Sequence, residues 1–219
     1  MPLLPCVEIE PAREATHAVI WLHGLGANGH DFEPIVPQLG LSDLAVRFVF
    51  PHAPDLPVTI NGGMRMPAWY DILEMNLDRR VDLGQLQASA DAVRALIKRE
   101  NDRGIPCSRI VLAGFSQGGA VAYEAALSHP EPLAGLMALS TYLATADTLE
   151  RHPANSALPT LIQHGTQDPV VPEVLGRKAH EQMLAWGYPA EYQNFRMPHA
   201  VCPEQVTVIG HWLRARLTD

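Results

Sequence analysis

The sequence IVLAGFSQGGAVAYEAAL, residues 110–127, lies near the middle of the chain. The apolar run before Gly114 predicts a buried strand, and the small residues after Gly118 predict a helix that can pack closely. Ser116 stands between them in a Gly-x-Ser-x-Gly motif. A serine at such a strand-to-helix corner is held in a strained conformation with its hydroxyl exposed, and the flanking glycines avoid collisions of Cβ atoms. The pentapeptide also occurs in ordinary Gly-rich turns, so its weight here comes from the strand and the helix beside it.

Composition restricts the class of protein. With 47% hydrophobic residues, the 219-residue chain can bury a large core. The formal charge of −8 disfavours nucleic acids and anionic membranes as partners, because these need arrays of Lys and Arg. No apolar run approaches the ~18 residues of a membrane span, and the N-terminus does not resemble a signal peptide. Cys6, Cys107 and Cys202 are odd in number and lack metal-ligand spacing, so we expect free thiols. These features predict a cytoplasmic protein without stable membrane insertion.

Strand-like and helix-like segments alternate along the chain, which predicts one doubly wound domain, residues 1–219, with a mainly parallel sheet. We expect Asp31 to cap a short helix over 32–39. A longer helix is expected to begin with a capping box of Asp82 and Gln85. Its apolar stripe comprises Leu83, Leu86, Ala90, Val93 and Ile97. The strands are expected at 6–10, 17–22, 46–50, 109–113, 133–139, 159–164 and 191–196, and two further helices at 172–186 and from 203 onward.

Residues 55–81 interrupt this alternation. Val58–Ile60 and Met64–Met66, joined by Asn61-Gly62-Gly63, predict a small hairpin. An irregular stretch follows, with Leu73, Met75 and Leu77 outside any regular element. A long irregular segment in a compact domain is usually functional or mobile, and a surface flap is an equally good interpretation.

A serine hydroxyl needs a neighbouring base, itself oriented by a third group. Ligands gather beyond the carboxyl ends of parallel strands, and after an elbow serine the acid precedes the histidine in the chain. Of the ten histidines, His199 follows the last predicted strand, whereas His180 and His211 fall within predicted helices. Asp168 directly follows a strand and is the favoured acid, with Asp147 as the alternative. The predicted triad is therefore the elbow serine, Asp168 and His199.

Attack on a carbonyl creates an oxyanion, which preorganised backbone amides stabilise. The amide of Gln117, directly after the serine, is one expected donor. The second donor is expected from the loop His23-Gly24-Leu25-Gly26. We expect it to be the amide of Leu25, because the glycines on either side let the backbone turn its amides inward. A phosphate-binding loop is the alternative for these glycines, although the Lys of a P-loop and the spacing of a dinucleotide fingerprint are missing.

Six motifs carry a resemblance to a known family. They are Leu22-His23-Gly24-Leu25-Gly26, Pro51-His52-Ala53-Pro54, Met66-Pro67-Ala68-Trp69-Tyr70-Asp71, Gly114-Phe115-Ser116-Gln117-Gly118-Gly119, Gly165-Thr166-Gln167-Asp168-Pro169 and Pro198-His199. With them the chain resembles the phospholipase/carboxylesterase group of α/β-hydrolases, which includes acyl-protein thioesterases and bacterial carboxylesterases II. The resemblance extends from about Val19 to the C-terminus.

The resemblance implies an α/β-hydrolase fold, with a mainly parallel, twisted sheet and helices on both faces. It implies a Ser116–Asp168–His199 triad, an oxyanion hole formed by Leu25 and Gln117, and no metal or organic cofactor. Homodimers occur in the group, and the sequence does not decide whether this chain forms one.

The resemblance also implies an apolar acyl groove. Trp69 and Leu73 are expected to bind substrate on one side of the groove and Leu143 on the other. The family often has small polar residues after the histidine, whereas Ala200-Val201-Cys202 stand here. This departure concerns fine tuning of the site and leaves the assignment of His199 unchanged.

We therefore expect a serine carboxylesterase that hydrolyses small esters of short to medium acyl chains through an acyl-enzyme on Ser116. An acyl-protein thioesterase or lysophospholipase with the same triad is the alternative, because the mechanism would be the same. A non-catalytic, ligand-binding hydrolase scaffold is a more remote alternative, since such scaffolds usually lack a triad member.

Overall fold

The computed structural model of the protein describes residues 3–74 and 79–218. The strands are β1 (Cys6–Ile9), β2 (His17–Leu22), β3 (Val46–Pro51), β4 (Asp55–Val58), β5 (Met64–Pro67), β6 (Ile110–Phe115), β7 (Gly135–Leu139), β8 (Thr160–Gly165) and β9 (Ala190–Phe195). The α-helices are α1 (Leu83–Asp102), α2 (Gln117–Leu127), α3 (Glu173–Ala185) and α4 (Pro203–Leu217).

A seven-stranded sheet runs in the order β1-β3-β2-β6-β7-β8-β9. β1 pairs antiparallel with β3, and the other neighbouring pairs are parallel. Parallel strands need crossover connections, and the helices that supply them cover the faces of the sheet. The carboxyl ends of β2, β6, β7, β8 and β9 therefore meet at one edge, where ligands gather in open α/β sheets.

The two faces of the sheet have separate apolar cores. Ala18, Ile20 and Leu22 of β2 pack with α1, α2 and α3, whereas Val19 and Trp21 pack with α4 on the opposite face. All five residues are at most 1% exposed. Because side chains alternate along a strand, a strand covered on both faces reads as an unbroken apolar run. The expected mainly parallel sheet with helices on both faces is confirmed.

The short helix after the Gly-rich loop differs from the expectation. It is a 3₁₀ segment, Glu33–Leu39, whose N-cap residue is Phe32, without any side-chain cap. The expected cap by Asp31 is therefore wrong. Pro34 in the first turn has no amide hydrogen, so the turn has one donor fewer to satisfy.

Helix α1 begins where its cap predicts, with the Asp82 side chain accepting from the amide of Gln85 at 3.0 Å. The Gln85 side chain does not complete a capping box; it accepts instead from the amide of Asp71 at 2.8 Å. Leu83 is 38% exposed and does not belong to the buried stripe. The stripe begins at Leu86, one turn into the helix, where α1 first packs against the core.

The hairpin within 55–81 is present, but its first strand lies earlier than expected. β4 ends at Val58, and Thr59–Asn61 form a single 3₁₀ turn rather than the strand we expected. Gly62 and Gly63 have φ values of +66° and +77°, which other residues rarely adopt. β5 then pairs back on β4.

Beyond the hairpin, Ile72 and Val81 form an isolated antiparallel bridge that closes the base of the segment. Leu73 is 36% exposed. Met75 and Leu77, which we expected outside regular structure, lie outside the described residues.

A buried ionic cluster anchors the antiparallel edge of the sheet to α1. Glu100, near the end of α1, has a fully buried side chain and accepts from Arg47 of β3 at 2.7 Å and from Arg99 at 2.9 Å. Arg103 lies 3.2 Å from Glu100 and 2.8 Å from Glu8 of β1. The cluster therefore joins β1, β3 and α1 through their side chains.

Candidate active site

Ser116 lies at the corner between β6 and α2, in the conformation that the sequence predicts for an elbow. Its φ of 54° and ψ of −121° fall in a region that non-glycine residues rarely occupy. Two hydrogen bonds hold this backbone: the Ser116 amide donates to Leu139 at 2.9 Å, and the Thr141 hydroxyl donates to the Ser116 carbonyl at 2.6 Å. Such strain persists only where the surroundings determine it, and it concentrates at functional sites.

The glycines of the elbow are needed for three close contacts. A Cβ on Gly114 would collide with the Gly118 carbonyl, as expected for a tight strand-to-helix turn. A Cβ on Gly118 would lie 2.5 Å from the His23 carbonyl oxygen and 2.7 Å from Leu22, so this glycine faces the end of β2. A Cβ on Gly119 would lie 2.5 Å from the Thr141 side chain. The motif therefore lets α2 sit against two neighbouring strand ends as well as its own strand.

His199 and Asp168 come together at the same edge of the sheet. His199 Nδ1 lies 2.6 Å from Asp168 Oδ2, and the aromatic rings of His199 and Phe115 are 4.7 Å apart, which places the imidazole beside the elbow. Asp168 Oδ1 accepts from the amides of Val170 at 2.9 Å and Val171 at 2.8 Å. Burial raises the pKa of Asp168, but the hydrogen bonds from His199 and these amides outweigh it and leave the pKa lowered. The Asp168 side chain is therefore a buried carboxylate that holds Nδ1–H of His199.

The alternative residues from the sequence do not lie at this pair. Asp147 is exposed and makes no contact with His199; it borders the cavity that Leu143 also lines, beside Lys178 and Glu181 of α3. His180 lies within 3.1 Å of the Ala190 carbonyl.

His164, which the sequence analysis did not select, lies directly behind Asp168. It is fully buried, its Nε2 donates to the Val171 carbonyl at 2.8 Å, and the same nitrogen is 3.7 Å from Asp168 Oδ2. Burial lowers the pKa of His164, so the ring is neutral. His164 thus fixes the turn whose amides bind Asp168. Its position at the end of β8, directly before Gly165, is the sequence feature by which it could have been identified as part of the site.

The Gly-rich loop after β2 is fixed by His23. The Ala53 amide donates to His23 Nε2 at 3.1 Å, so Nδ1 carries the hydrogen and donates to the Gly24 carbonyl at 2.7 Å. Burial lowers the pKa of His23 and favours this neutral form. A Cβ on Gly24 would lie 3.4 Å from the Ser116 Cβ, which places the loop against the serine.

Some backbone amides of the Gly-rich loop and of the elbow lack a protein acceptor in the described part of the chain. Within residues 3–74 and 79–218, the amides of Leu25 and Gln117 donate to no protein acceptor. The next amide, that of Gly26, is bound to the Pro67 carbonyl at 2.8 Å. The amide of Gly24, on the other side of Leu25, likewise has no acceptor among these residues.

The Gln117 side chain has a separate role that the sequence analysis missed. Its Oε1 accepts from the Trp69 amide at 2.8 Å, and its Nε2 donates to the Tyr70 carbonyl at 2.6 Å. The first residue of α2 is thereby clamped to the start of the irregular segment. An amide side chain with one donor and one acceptor satisfied by adjacent backbone groups is well determined in position.

The structure corrects the expected location of Trp69. Its side chain is 1% exposed, and its Nε1 donates to the His23 carbonyl at 2.8 Å. The indole therefore supports the Gly-rich loop from beneath and offers no accessible wall to an acyl chain. Leu73 is partly exposed, and Leu143 borders a cavity of about 620 Å³ together with Tyr142 and Leu175.

Three further observations concern the described part of the chain. It contains no cluster of three or more His, Cys, Asp or Glu side chains that could hold a metal ion. No helix in it is long and apolar enough to cross a membrane. Its three cysteines are free.

A serine at a strained strand-to-helix corner, with a His–Asp pair at the carboxyl edge of a parallel sheet, defines the class of the protein: it is an α/β-hydrolase. A family model described as Phospholipase/Carboxylesterase matches residues 5–217. The chain belongs to this family and is a serine hydrolase. The resemblance inferred from the six sequence motifs is thus confirmed.

Individual relatives agree with the family. The chain is 37% identical over 214 residues to acyl-protein thioesterase 1 of Neurospora crassa, covering 92% of this chain and 87% of the relative. It is 35% identical over 231 residues to acyl-protein thioesterase 1 of Cryptococcus neoformans, covering 96% and 97%. A crystal structure of Zea mays acyl-protein thioesterase 2 has a TM-score of 0.86 at 27% identity, covering 97% of this chain and 99% of that one.

Proposed function

We propose that this hydrolase cleaves the thioester of S-acylated proteins or peptides through an acyl-enzyme on Ser116. The sequence analysis ranked carboxylic esters first and thioesters second, and the relatives named acyl-protein thioesterases support the second better. The observation that carries the proposal is the 2.6 Å contact between His199 and Asp168, beside a serine in the elbow conformation.

The proposed acylation step uses each of these groups in a defined role. Ser116 Oγ attacks the thioester carbonyl while His199 Nε2 takes its proton, since Nδ1 is engaged by Asp168. The carboxylate stabilises the imidazolium that forms. The carbonyl oxygen becomes an oxyanion, for which the unbound amides of Leu25 and Gln117 are the proposed donors.

The tetrahedral intermediate then collapses and expels the thiol. A cysteine thiol has an ordinary pKa of about 8.5, so it is a much better leaving group than an aliphatic alcohol. His199 returns its proton to the sulfur, and the acyl group remains on Ser116. Water, activated by the same imidazole, hydrolyses this acyl-enzyme in a second step.

Leu73 and Leu143 are the residues proposed to border the acyl chain. Both are partly accessible, which an apolar binding wall requires. Leu143 follows Tyr142 in the segment that leads away from Thr141, whose hydroxyl binds the Ser116 carbonyl. Leu143 is thus two residues beyond a residue that is hydrogen-bonded to Ser116, which supports its proposed place beside the acyl chain.

Replacement of the proposed nucleophile tests the mechanism. We expect Ser116→Ala to abolish hydrolysis of an S-butanoyl peptide and labelling by a fluorophosphonate probe. Ser42→Ala, which alters an exposed serine, is the matched control and should retain both. Retention of most of the activity in Ser116→Ala would contradict the mechanism, and failure of the wild type to react with the probe would favour the non-catalytic scaffold.

A matched pair of substrates tests the substrate class. S-butanoyl-N-acetylcysteamine and its oxygen-ester counterpart differ in a single atom. Hydroxide-catalysed hydrolysis of the two compounds gives the intrinsic ratio of thioester to ester rate constants. We expect the enzyme's ratio of kcat/KM, thioester over ester, to exceed this intrinsic ratio. A preference for the oxygen ester would instead support a carboxylesterase that uses the same triad.

A further inference from the structure

A small cavity of about 260 Å³ opens beside His199, and the proposed acyl side of the site does not share it. Its lining is mostly apolar, and Asp31 and His199 are its polar members; the apolar residues are Phe32, Ile35, Phe115, Ala200 and Val201. Phe32 and Phe115 belong to the core on the α4 face of the sheet. Leu143 packs against the core on the opposite face.

The position of the cavity matches the path of the leaving group. The imidazole must return its proton to the atom that departs, so the leaving group is held on the side of the site that His199 lines. The acyl group stays on the serine and occupies the other side. A pocket walled by His199 therefore lies on the side where the thiol-bearing part of the substrate would be held.

The size and charge of the cavity indicate what it binds. An engineered cavity of about 150 Å³ holds benzene, so this one can hold a longer side chain. Its aromatic and aliphatic floor suits the methylene stem of Lys or Arg, whose charged head then reaches the rim. Asp31 is exposed at that rim, and within residues 3–74 and 79–218 its carboxylate makes no ion pair. Among the residues that line the cavity in the described part of the chain, no Lys or Arg competes for it.

We propose that this cavity binds the residue next to the acylated cysteine of the substrate, and that Asp31 selects Lys or Arg at that position. The proposal rests on the proposed thioesterase function and adds its leaving-group specificity. Exposed ion pairs contribute little individually, so the expected preference is modest, about two- to fivefold. It should decrease as ionic strength rises, because salt screens a charge at the surface.

Two S-butanoyl cysteine peptides that differ only in Lys or Glu beside the cysteine test this proposal. We expect the wild type to prefer the Lys peptide in kcat/KM by about two- to fivefold. Asp31→Asn should remove the preference, and Asp31→Lys should reverse it. The controls are Glu14→Gln and Glu14→Lys, which make the same charge changes at an exposed residue outside the cavity and should leave the preference intact.

The rate step that responds distinguishes this pocket from the acyl groove. Both peptides give the same acyl-enzyme, so single-turnover deacylation rates should be identical while acylation rates differ. Ile35→Trp, which fills the cavity, should lower kcat/KM for both peptides more than for the S-methyl thioester of the same acid. An altered acyl-length preference in Ile35→Trp, with no such difference between leaving groups, would place the cavity on the acyl side and overturn the proposal.

The remaining outcomes separate the proposal from the proposed function. Equal hydrolysis of both peptides by the wild type refutes selection by Asp31 and leaves the thioesterase function standing. The same holds if Glu14→Lys reduces the preference as much as Asp31→Lys, because the effect would then come from net charge. Hydrolysis of simple esters with none of either peptide refutes the thioesterase function, and the proposed occupant of the cavity with it.

Discussion

The substitution Gly118→Ala tests whether close packing at the elbow sets the position of the amides proposed to bind the oxyanion. The added Cβ would lie 2.5 Å from the His23 carbonyl oxygen and 2.8 Å from the Leu22 carbonyl oxygen. Ordinary contacts of a Cβ begin at 3.4 Å, so α2 must move about 0.9 Å away from the end of β2. Both neighbours are backbone oxygens and cannot rotate aside as a side chain would.

This movement acts on activity more than on stability. Gln117 is the first residue of α2 and moves with it, whereas Leu25 stays with the loop after β2. Separating the two proposed donors by most of an ångström should approach the loss of one, which costs on the order of 10²–10³ in kcat. Overpacking itself costs about 1–3 kcal/mol. For a chain of this length, 1 kcal/mol corresponds to a shift of roughly 2–4 °C in Tm.

The assay is kcat/KM for an S-butanoyl peptide, measured beside Tm by thermal unfolding. Gly84→Ala is the matched control, since its Cβ would meet nothing closer than the Asp82 side chain at 3.4 Å and the residue lies in helix α1. We expect the control to be fully active and slightly more stable, because Ala is the better helix former. A Gly118→Ala variant with activity within about threefold of wild type would refute the reasoning on donor geometry.

Three further predictions follow from individual contacts. Thr141→Val removes the hydroxyl that binds the Ser116 carbonyl and should lower the free energy of unfolding by about 1 kcal/mol and reduce kcat. Thr141→Ser keeps the hydroxyl and should retain wild-type stability and kcat. Equal effects of the two variants would exclude the hydrogen bond as the cause. Glu100→Gln leaves its arginine partners without their buried counter-charge and should lower the free energy of unfolding by about 3 kcal/mol. This is the low end of the usual range, because those arginines are partly exposed, and the folded fraction should remain active. An unchanged urea midpoint would contradict this prediction. The pKa of Asp168 is lowered, so its contribution to the free energy of unfolding is complete above the unfolded pKa of about 3.9 and is lost as pH falls through the folded pKa. Between pH 5 and 2, urea unfolding should therefore show a smaller decrease in the free energy of unfolding for Asp168→Asn than for wild type. Parallel curves for the two proteins would show that the carboxylate is not held by His199 as described.

Strand and helix positions could be predicted largely from local patterns. The runs Ala18–Leu22 of β2 and Ile110–Phe115 of β6 carry no polar side chain because both faces are covered, and the stripe of α4 repeats at helical spacing. The errors fell where local signals compete. Asp31 resembles a helix cap, but the turn begins after Phe32, and Leu83 continues an apolar stripe at a point where no neighbour covers it.

The prediction of site residues succeeded to different degrees for different residues. The chain order after an elbow serine, with one loop histidine and one strand-end aspartate, led to the pair that the structure brings within 2.6 Å. Trp69 was misplaced because its motif identifies a segment near the site but not the direction in which the indole points. His164 and the Gln117 side chain were missed, since both act through backbone groups of distant residues.

Local sequence patterns are sufficient to specify the class of fold, the corner that presents Ser116 and the residue types available for catalysis. These follow from hydrophobic periodicity, turn chemistry and motif order, all of which are local in the chain. Tertiary structure alone decided which face of each segment meets the site: the inward packing of Trp69, the fixed tautomer of His23 and the separate cavity beside His199. The physical reason is that direction and burial depend on contacts between residues far apart in the chain, and these form only when the strands align at a common edge.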